Sequence, residues 1–286
     1  MFPAYPIEHV TNGVHSWTWT ADAFRDLYDR HIPGWRNDPA MLRRVVEISR
    51  DEIWEAHVAA KAHLVAEVRG RSGTLLSAES LTIGFARRAT AYKRADLVFS
   101  DLERLRQIVR KRGRLQIVFA GKAHPRDEPG KELIRRIVHA ARELGEEVPV
   151  VYLVDYDIAL ARILVSGCDL WLNTPEPPLE ASGTSGMKAA HNGIPSLSSL
   201  DGWWVEGCIE GVTGWSIGSR SVAGDTGRSR QRDADDLYHK LEEAILPLFY
   251  GDRGSWLDVM RHTIALKSYF NTHRMVQQYV TNAYVG

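Results

Sequence analysis

The chain has 286 residues, 44% hydrophobic and 25% charged, which suits one large globular domain or two small ones and argues against disorder. Thirty-six basic side chains balance thirty-six acidic ones, so no global field attracts nucleic acid or an anionic membrane, and any anion site must be local. No run approaches the roughly 18 to 20 apolar residues of a membrane span, and the N-terminus lacks a basic-then-apolar secretory pattern.

Residues 1–10 read as a mid-protein loop leading into a strand, a hint of a cut chain. Asn12-Gly13 is a turn signal among β-branched and aromatic residues, and Asp22 to Arg30 is helical until Pro33-Gly34. From Asp38 to about Val68 a long stripe places Leu42, Val45, Val46, Ile53, Trp54 and His57 on one helical face. Ser49 interrupts it, and with Asp51 as a second possible N-cap the stretch predicts two consecutive helices. From residue 80 the pattern becomes strand, loop, helix, repeated. Strands are expected at Leu81 to Phe85, Gln116 to Ala120, Val148 to Leu153, Asp169 to Asn173 and Pro195 to Ser199. Helices are expected at Ala95 to Arg112, Gly130 to Leu144, Asp157 to Val165 and Ser185 to Asn192. Ser219 to Arg232 is a polar loop, and helices follow from Asp233 to the end. The fold class is therefore α/β, a doubly wound, mostly parallel sheet flanked by helices, with ligands beyond the C-terminal strand ends. Three stretches follow: a leading strand or loop with helices over 1–79, a Rossmann-like core over 80–232, and C-terminal helices over 233–286.

Chemistry converges on Glu180-Ala-Ser-Gly-Thr-Ser-Gly-Met-Lys188, a small-residue loop between a strand and a helix. Its glycines and hydroxyls let backbone N–H groups approach an anion, with Thr184 or Ser185 as N-cap and Lys188 beside the cradle. Arg87-Arg88 and Lys93-Arg94 put four cations in eight residues at another strand end, where a loop can aim Arg88 and Lys93 at one phosphate. Lys122 and His124 either line the same cleft or cap their own loop. Tyr156 ends a strand, with half-buried packing as the plainer reading, and Trp203-Trp204 suit packing better than a sugar platform. Cys168 and Cys208 form no CxxC pair, read as core fillers and fit a reducing cytoplasm. His57 and His63 are six apart, unsuited to a helical metal pair, so no metal is expected. A Gly-Lys-Ser/Thr P-loop ending and GxGxxG are both absent.

Taken in order, Thr11-Asn-Gly13, Arg88 through Tyr92-Lys93-Arg94, Gly121 to Pro125, Asp155-Tyr156, Glu180 to Lys188, Asn192-Gly193 and Leu200-Asp-Gly202 resemble the C-terminal half of the glycogen/α-glucan phosphorylases. These are pyridoxal-phosphate enzymes of the two-domain GT-B fold. The resemblance implies that Lys188 carries pyridoxal 5'-phosphate as a Schiff base. It further implies that Thr184, Ser185, Tyr156 and Arg87 contact the cofactor and that Arg88 and Lys93 hold inorganic phosphate. Asn12, Glu180, Ser182 and Gly183 would contact the glucosyl unit. The implied reaction is phosphorolysis of α-1,4-glucan to glucose 1-phosphate with retention, in the cytoplasm, and the resemblance allows a homodimer. Related glycosyltransferases that use sugar nucleotides carry a second Glu where Lys188 stands, and a protonated lysine cannot accept bonds from ribose hydroxyls. A non-catalytic glucan- or cofactor-binding module is the alternative from another class. Family members are much longer, so the expectation is a half that folds and holds cofactor but has little phosphorolytic activity without its N-terminal domain.

Overall fold

The computed structural model describes residues 8–218 and 230–285. The opening loop at residues 1–7 and most of the polar loop at Ser219 to Arg232 lie outside the described residues. Six strands form one sheet: β1 (Leu81–Ala86), β2 (Leu115–Ala120), β3 (Val150–Leu153), β4 (Leu170–Asn173), β5 (Ser196–Ser199) and β6 (Gly214–Ile217). Their spatial order is β3-β2-β1-β4-β5-β6 and every neighbouring pair is parallel. This is the doubly wound arrangement that the alternation implied. Strand β6 was not expected, because four residues led by a glycine carry no readable period. Only glycine fits there: a Cβ on Gly214 would lie 2.3 Å from the Ser196 carbonyl oxygen.

Strands β1, β2, β4 and β5 are buried along their whole length, as a sheet covered on both faces requires. Strand β5 is nevertheless Ser-Leu-Ser-Ser. Two of its three hydroxyls have partners: Ser198 Oγ accepts from Asn173 Nδ2 at 3.0 Å and Ser199 Oγ from Arg94 Nη2 at 3.2 Å.

The helices are α1 (Ser16–Trp19), α2 (Asp22–His31), α3 (Arg50–Ser72), α4 (Leu102–Arg112), α5 (Glu128–Leu144), α6 (Ile158–Gly167), α7 (Thr184–Ala190), α8 (Trp204–Gly207), α9 (Arg230–Lys240), α10 (Leu246–Gly251), α11 (Arg253–Ala265) and α12 (Thr272–Tyr279). Of the two helices expected between Asp38 and Val68, the first is a 3-10 helix, Pro39–Glu47, which leaves Val46 exposed. The break at Ser49 is real: its hydroxyl caps Glu52 N, and Gly73 at φ 72° ends α3 in the left-handed conformation. The helix expected from Ala95 begins later. Residues Leu97–Phe99 form a 3-10 turn, and Asp101, not recognised in the sequence, caps α4 by accepting from Arg104 N at 2.9 Å.

Helix α3 is locked to the sheet by a buried polar network. Asp169, at the start of β4, accepts from His57 Nε2 at 2.7 Å, Lys61 Nζ at 2.6 Å and Thr82 N at 2.7 Å. Lys61 also donates to the Ser80 carbonyl at 2.8 Å. Burial alone would raise the Asp169 carboxyl, but Lys61 and His57 overcome it and hold the group below its ordinary range. One hydrophobic cluster running from Phe24 to Ile264 draws on the leading helices, the sheet and the C-terminal helices together.

Candidate active site

Strand order reverses between β1 and β4. After β1 the chain proceeds to β2 and β3 on one side; after β4 it proceeds to β5 and β6 on the other. Loops leaving the two C-terminal ends therefore part and open a crevice. A cleft of about 400 Å³ lies there, lined by Arg87 after β1, Tyr156 after β3, and Glu180 through Ser185 with Lys188 after β4. The arrangement brings residues from three separate loops together. A second cleft of about 400 Å³, among Trp19, Asp26, His63 and Arg162, has no comparable glycine loop.

Helix α7 starts one residue earlier than expected. Neither Thr184 nor Ser185 is the N-cap; Gly183 is, at φ 73°, a left-handed conformation that only glycine adopts without strain. As a result Thr184 and Ser185 occupy the first turn, where N–H groups have no intrahelical acceptor, and neither N–H bonds to another described residue. Ser185 Oγ accepts instead from Trp171 Nε1 at 3.2 Å.

Lys188 lies one turn further on, half-buried, with its Nζ 4.0 Å from the centre of the Trp19 ring. Among the described residues no carboxylate pairs with it. Burial lowers its pKa below that of a free lysine, which favours the neutral, nucleophilic amine. Trp19 is in turn held by Asn192, whose Nδ2 donates to the Trp19 carbonyl at 2.8 Å and whose Oδ1 accepts from Ala21 N at 2.7 Å.

Glu180 is 8% exposed, and both Arg87 Nη2, at 2.5 Å, and Lys93 Nζ pair with its Oε2. Burial would raise the Glu180 carboxyl, yet the two cations hold it below its ordinary value. For Arg87, burial lowers the pKa and Glu180 opposes the shift. Arg87 also donates through Nη1 to Asn173 Oδ1. The loop backbone is pinned from behind: Glu180 N donates to Asp201 Oδ2 at 2.8 Å, and Trp203 N donates to the Ser182 carbonyl at 2.8 Å. Ser182 Oγ accepts from Asn12 Nδ2 at 3.1 Å, so Asn12 reaches the loop from 170 residues away in sequence. Arg274 of α12 fixes the Asn12 backbone, donating to the Thr11 and Asn12 carbonyls at 2.8 and 3.1 Å.

The four cations of the basic loop part company. Arg94, at φ 44°, turns the chain so that Lys93 faces Glu180 while Arg94 points into the core. There it bonds the Thr174 and Pro175 carbonyls at 2.9 and 3.0 Å and Asp233 at 2.8 Å. Arg88 is exposed and outside the cleft lining, with no partner among the described residues. Lys122 and His124 are also exposed, and His124 Nδ1 accepts from Arg126 N at 3.2 Å, the loop-capping alternative.

Tyr156 is half-buried, and burial raises its hydroxyl pKa with Arg87 opposing. Trp203 and Trp204 are packing residues, 3% and 0% exposed. Cys168 is in the core, where burial raises its thiol pKa; Cys208 is only half-buried.

The carbohydrate phosphorylase family model matches residues 2–213. The chain belongs to the carbohydrate phosphorylase family. It is 42% identical to the maltodextrin phosphorylase of Thermococcus litoralis over 98% of its own length and 36% of that protein's. Identity to the glycogen phosphorylase of Aquifex aeolicus is 39%, over 98% of this chain and 44% of the relative. For the glycogen phosphorylase of Mycobacterium tuberculosis it is 37%, over 98% and 35%. The chain thus spans 36% and 44% of the length of the first two relatives. Among the described residues no helix is long and apolar enough to cross a membrane.

Arg274, Asp201, Asn173 and Trp19 escaped the sequence reading. Asp201 lay inside a quoted motif but its side chain's target did not show. The other three act through contacts from distant segments that leave no local pattern.

Proposed function

We propose that this chain is the cofactor- and phosphate-binding half of an α-glucan phosphorylase, acting on α-1,4-glucan and inorganic phosphate to release glucose 1-phosphate with retention. The observation that carries the reading is the half-buried Lys188, paired with no carboxylate among the described residues, beside helix-end N–H groups that bond no described residue and Arg87 at the sheet's reversal point. These residues fit pyridoxal 5'-phosphate. Lys188 would bond its aldehyde carbon, Thr184 and Ser185 N–H groups with Arg87 would hold its phosphate, and Tyr156 would flank its ring. Bound there, the group supplies a phosphate able to give and take a proton beside the substrate phosphate.

The remaining residues have separate tasks. Lys93 and Arg88 hold inorganic phosphate, Lys93 as a buried point charge and Arg88 as an exposed fork not committed to another described residue. Without such cations two neighbouring phosphates would repel each other. Glu180, Ser182, Gly183 and Asn12 orient the glucosyl unit by its hydroxyls. Water must be kept from the sugar cation that develops at the transition state. Completing that enclosure is assigned to the N-terminal domain that the phosphorylase resemblance implies.

The test is to incubate the purified chain with pyridoxal phosphate, reduce with borohydride and map the labelled peptide by mass spectrometry. Stoichiometric label on Lys188, lost in Lys188→Ala, is expected. Label spread over surface lysines, with Lys188 unmodified, would refute the assignment.

A further inference from the structure

The arrangement of Glu180 has a feature that phosphate and sugar binding do not by themselves require. Both cations meet one oxygen, Oε2, while Oε1 has no partner among the described residues. Two positive groups thus already hold an internal anion where the proposed chemistry needs an external one. A phosphate carries more charge than a carboxylate and offers three acceptor oxygens, so it competes for the same donors. The displaced carboxylate cannot remain unpaired at 8% exposure without cost, and sugar hydroxyls are donors of the kind it then lacks.

The surroundings permit a side-chain movement with the backbone fixed. Glu180 N is held by Asp201 and the Ser182 carbonyl by Trp203, so the loop stays in place. Gly183 leaves space beside the pivot: a Cβ there would sit 3.4 Å from Glu180 Cγ. Arg87 retains Asn173 as a partner when the carboxylate departs.

We propose that Glu180 is the resident counter-anion of the phosphate site and that ligands enter by handover. Inorganic phosphate takes Lys93 from Glu180, Arg87 keeps Asn173 and turns to the cofactor phosphate assigned to it, and the released carboxylate then accepts the sugar's hydroxyls. This rests on the phosphorylase reading and adds to it a coupling, each ligand preparing the site for the other. Coupling of this kind is reciprocal. Free of ligand, the site's cations are neutralised by its own carboxylate.

Calorimetric titration of the chain with inorganic phosphate and with maltose tests the handover. Glu180→Gln is expected to bind phosphate about tenfold more tightly, having lost the competing charge. In the unmodified chain, saturating phosphate is expected to tighten maltose binding about fivefold, and Glu180→Gln abolishes that linkage. Unchanged or weaker phosphate binding by a folded Glu180→Gln chain would overturn the handover. If that variant does not fold, the unmodified chain decides alone, and maltose affinity indifferent to phosphate overturns it. Lys188 labelling separates the two levels: label with no linkage removes only the handover, whereas no label and no phosphate binding removes both.

Discussion

Replacing Lys61 by methionine tests the view that the network around Asp169 fastens α3 to the sheet. Methionine is unbranched, similar in length and nearly as good a helix former, so helix propensity and shape change little. What changes is electrostatic. Lys61 and Asp169 are both almost wholly buried and 2.6 Å apart, and the substitution leaves the carboxylate with His57 and Thr82 N alone. Breaking a buried pair by removing one partner costs about 3–5 kcal/mol. For a chain of this size that corresponds to a melting temperature lowered by roughly 6–10 °C. The pH dependence gives a second readout. Asp169 is depressed on folding, so its contribution is present above the unfolded value of about 3.9 and is lost as pH falls through the lower folded value. Lys61→Met removes the main cause of the depression, so acid unfolding should begin at a higher pH. Thermal melts followed by circular dichroism from pH 3 to pH 8 measure both effects. A variant melting within about 2 °C of the parent at pH 7, with an unchanged acid midpoint, would refute the reasoning.

Three further substitutions probe other parts of the structure. Lys267 is fully buried and its amine donates to the Phe270 carbonyl; burial, then Arg274, pushes its pKa well below the ordinary value. Because an amine depressed on folding opposes stability at lower pH, Lys267→Met should raise stability at pH 7. In urea titrations that gain should shrink as pH approaches about 10; no gain at pH 7 would contradict the assignment. Gly202 has φ 55°, and a Cβ there would lie 2.6 Å from the Ser182 carbonyl oxygen. Gly202→Ala should cost about 1–3 kcal/mol and slow pyridoxal phosphate labelling of Lys188 by shifting the loop, so normal stability and labelling would count against that packing. Arg94→Lys should cost about 2–4 kcal/mol in urea denaturation, because an ammonium cannot reproduce the fork that bonds Thr174, Pro175 and Asp233. A change under about 0.5 kcal/mol would show the cage to be dispensable.

Strand placement was legible because buried parallel strands are short apolar runs whose residues need no information from elsewhere. Five of the six strands overlap their expected positions, and the sixth carries too few residues for any pattern. The Ser49 break was readable for a local reason too, since an N-cap acts within its own next turn. The Gly183 cap was misassigned, because Gly, Thr and Ser in succession are all acceptable caps and only backbone conformation selects among them.

By itself, then, the sequence determined the α/β class, the strand-to-helix loop ending at Lys188 and the basic loop after β1, all of which are encoded by neighbours in the chain. Only the tertiary structure decided what each cation of that loop faces. Four basic residues within eight positions look equivalent in sequence, but the left-handed turn at Arg94 sends one into the core and brings Lys93 to Glu180, while Arg88 is exposed. Tertiary structure likewise brought Asn12 to Ser182 and Arg274 to Asn12. Those contacts depend on where the sheet's reversal and the last helix deliver distant segments, and no local pattern records that delivery.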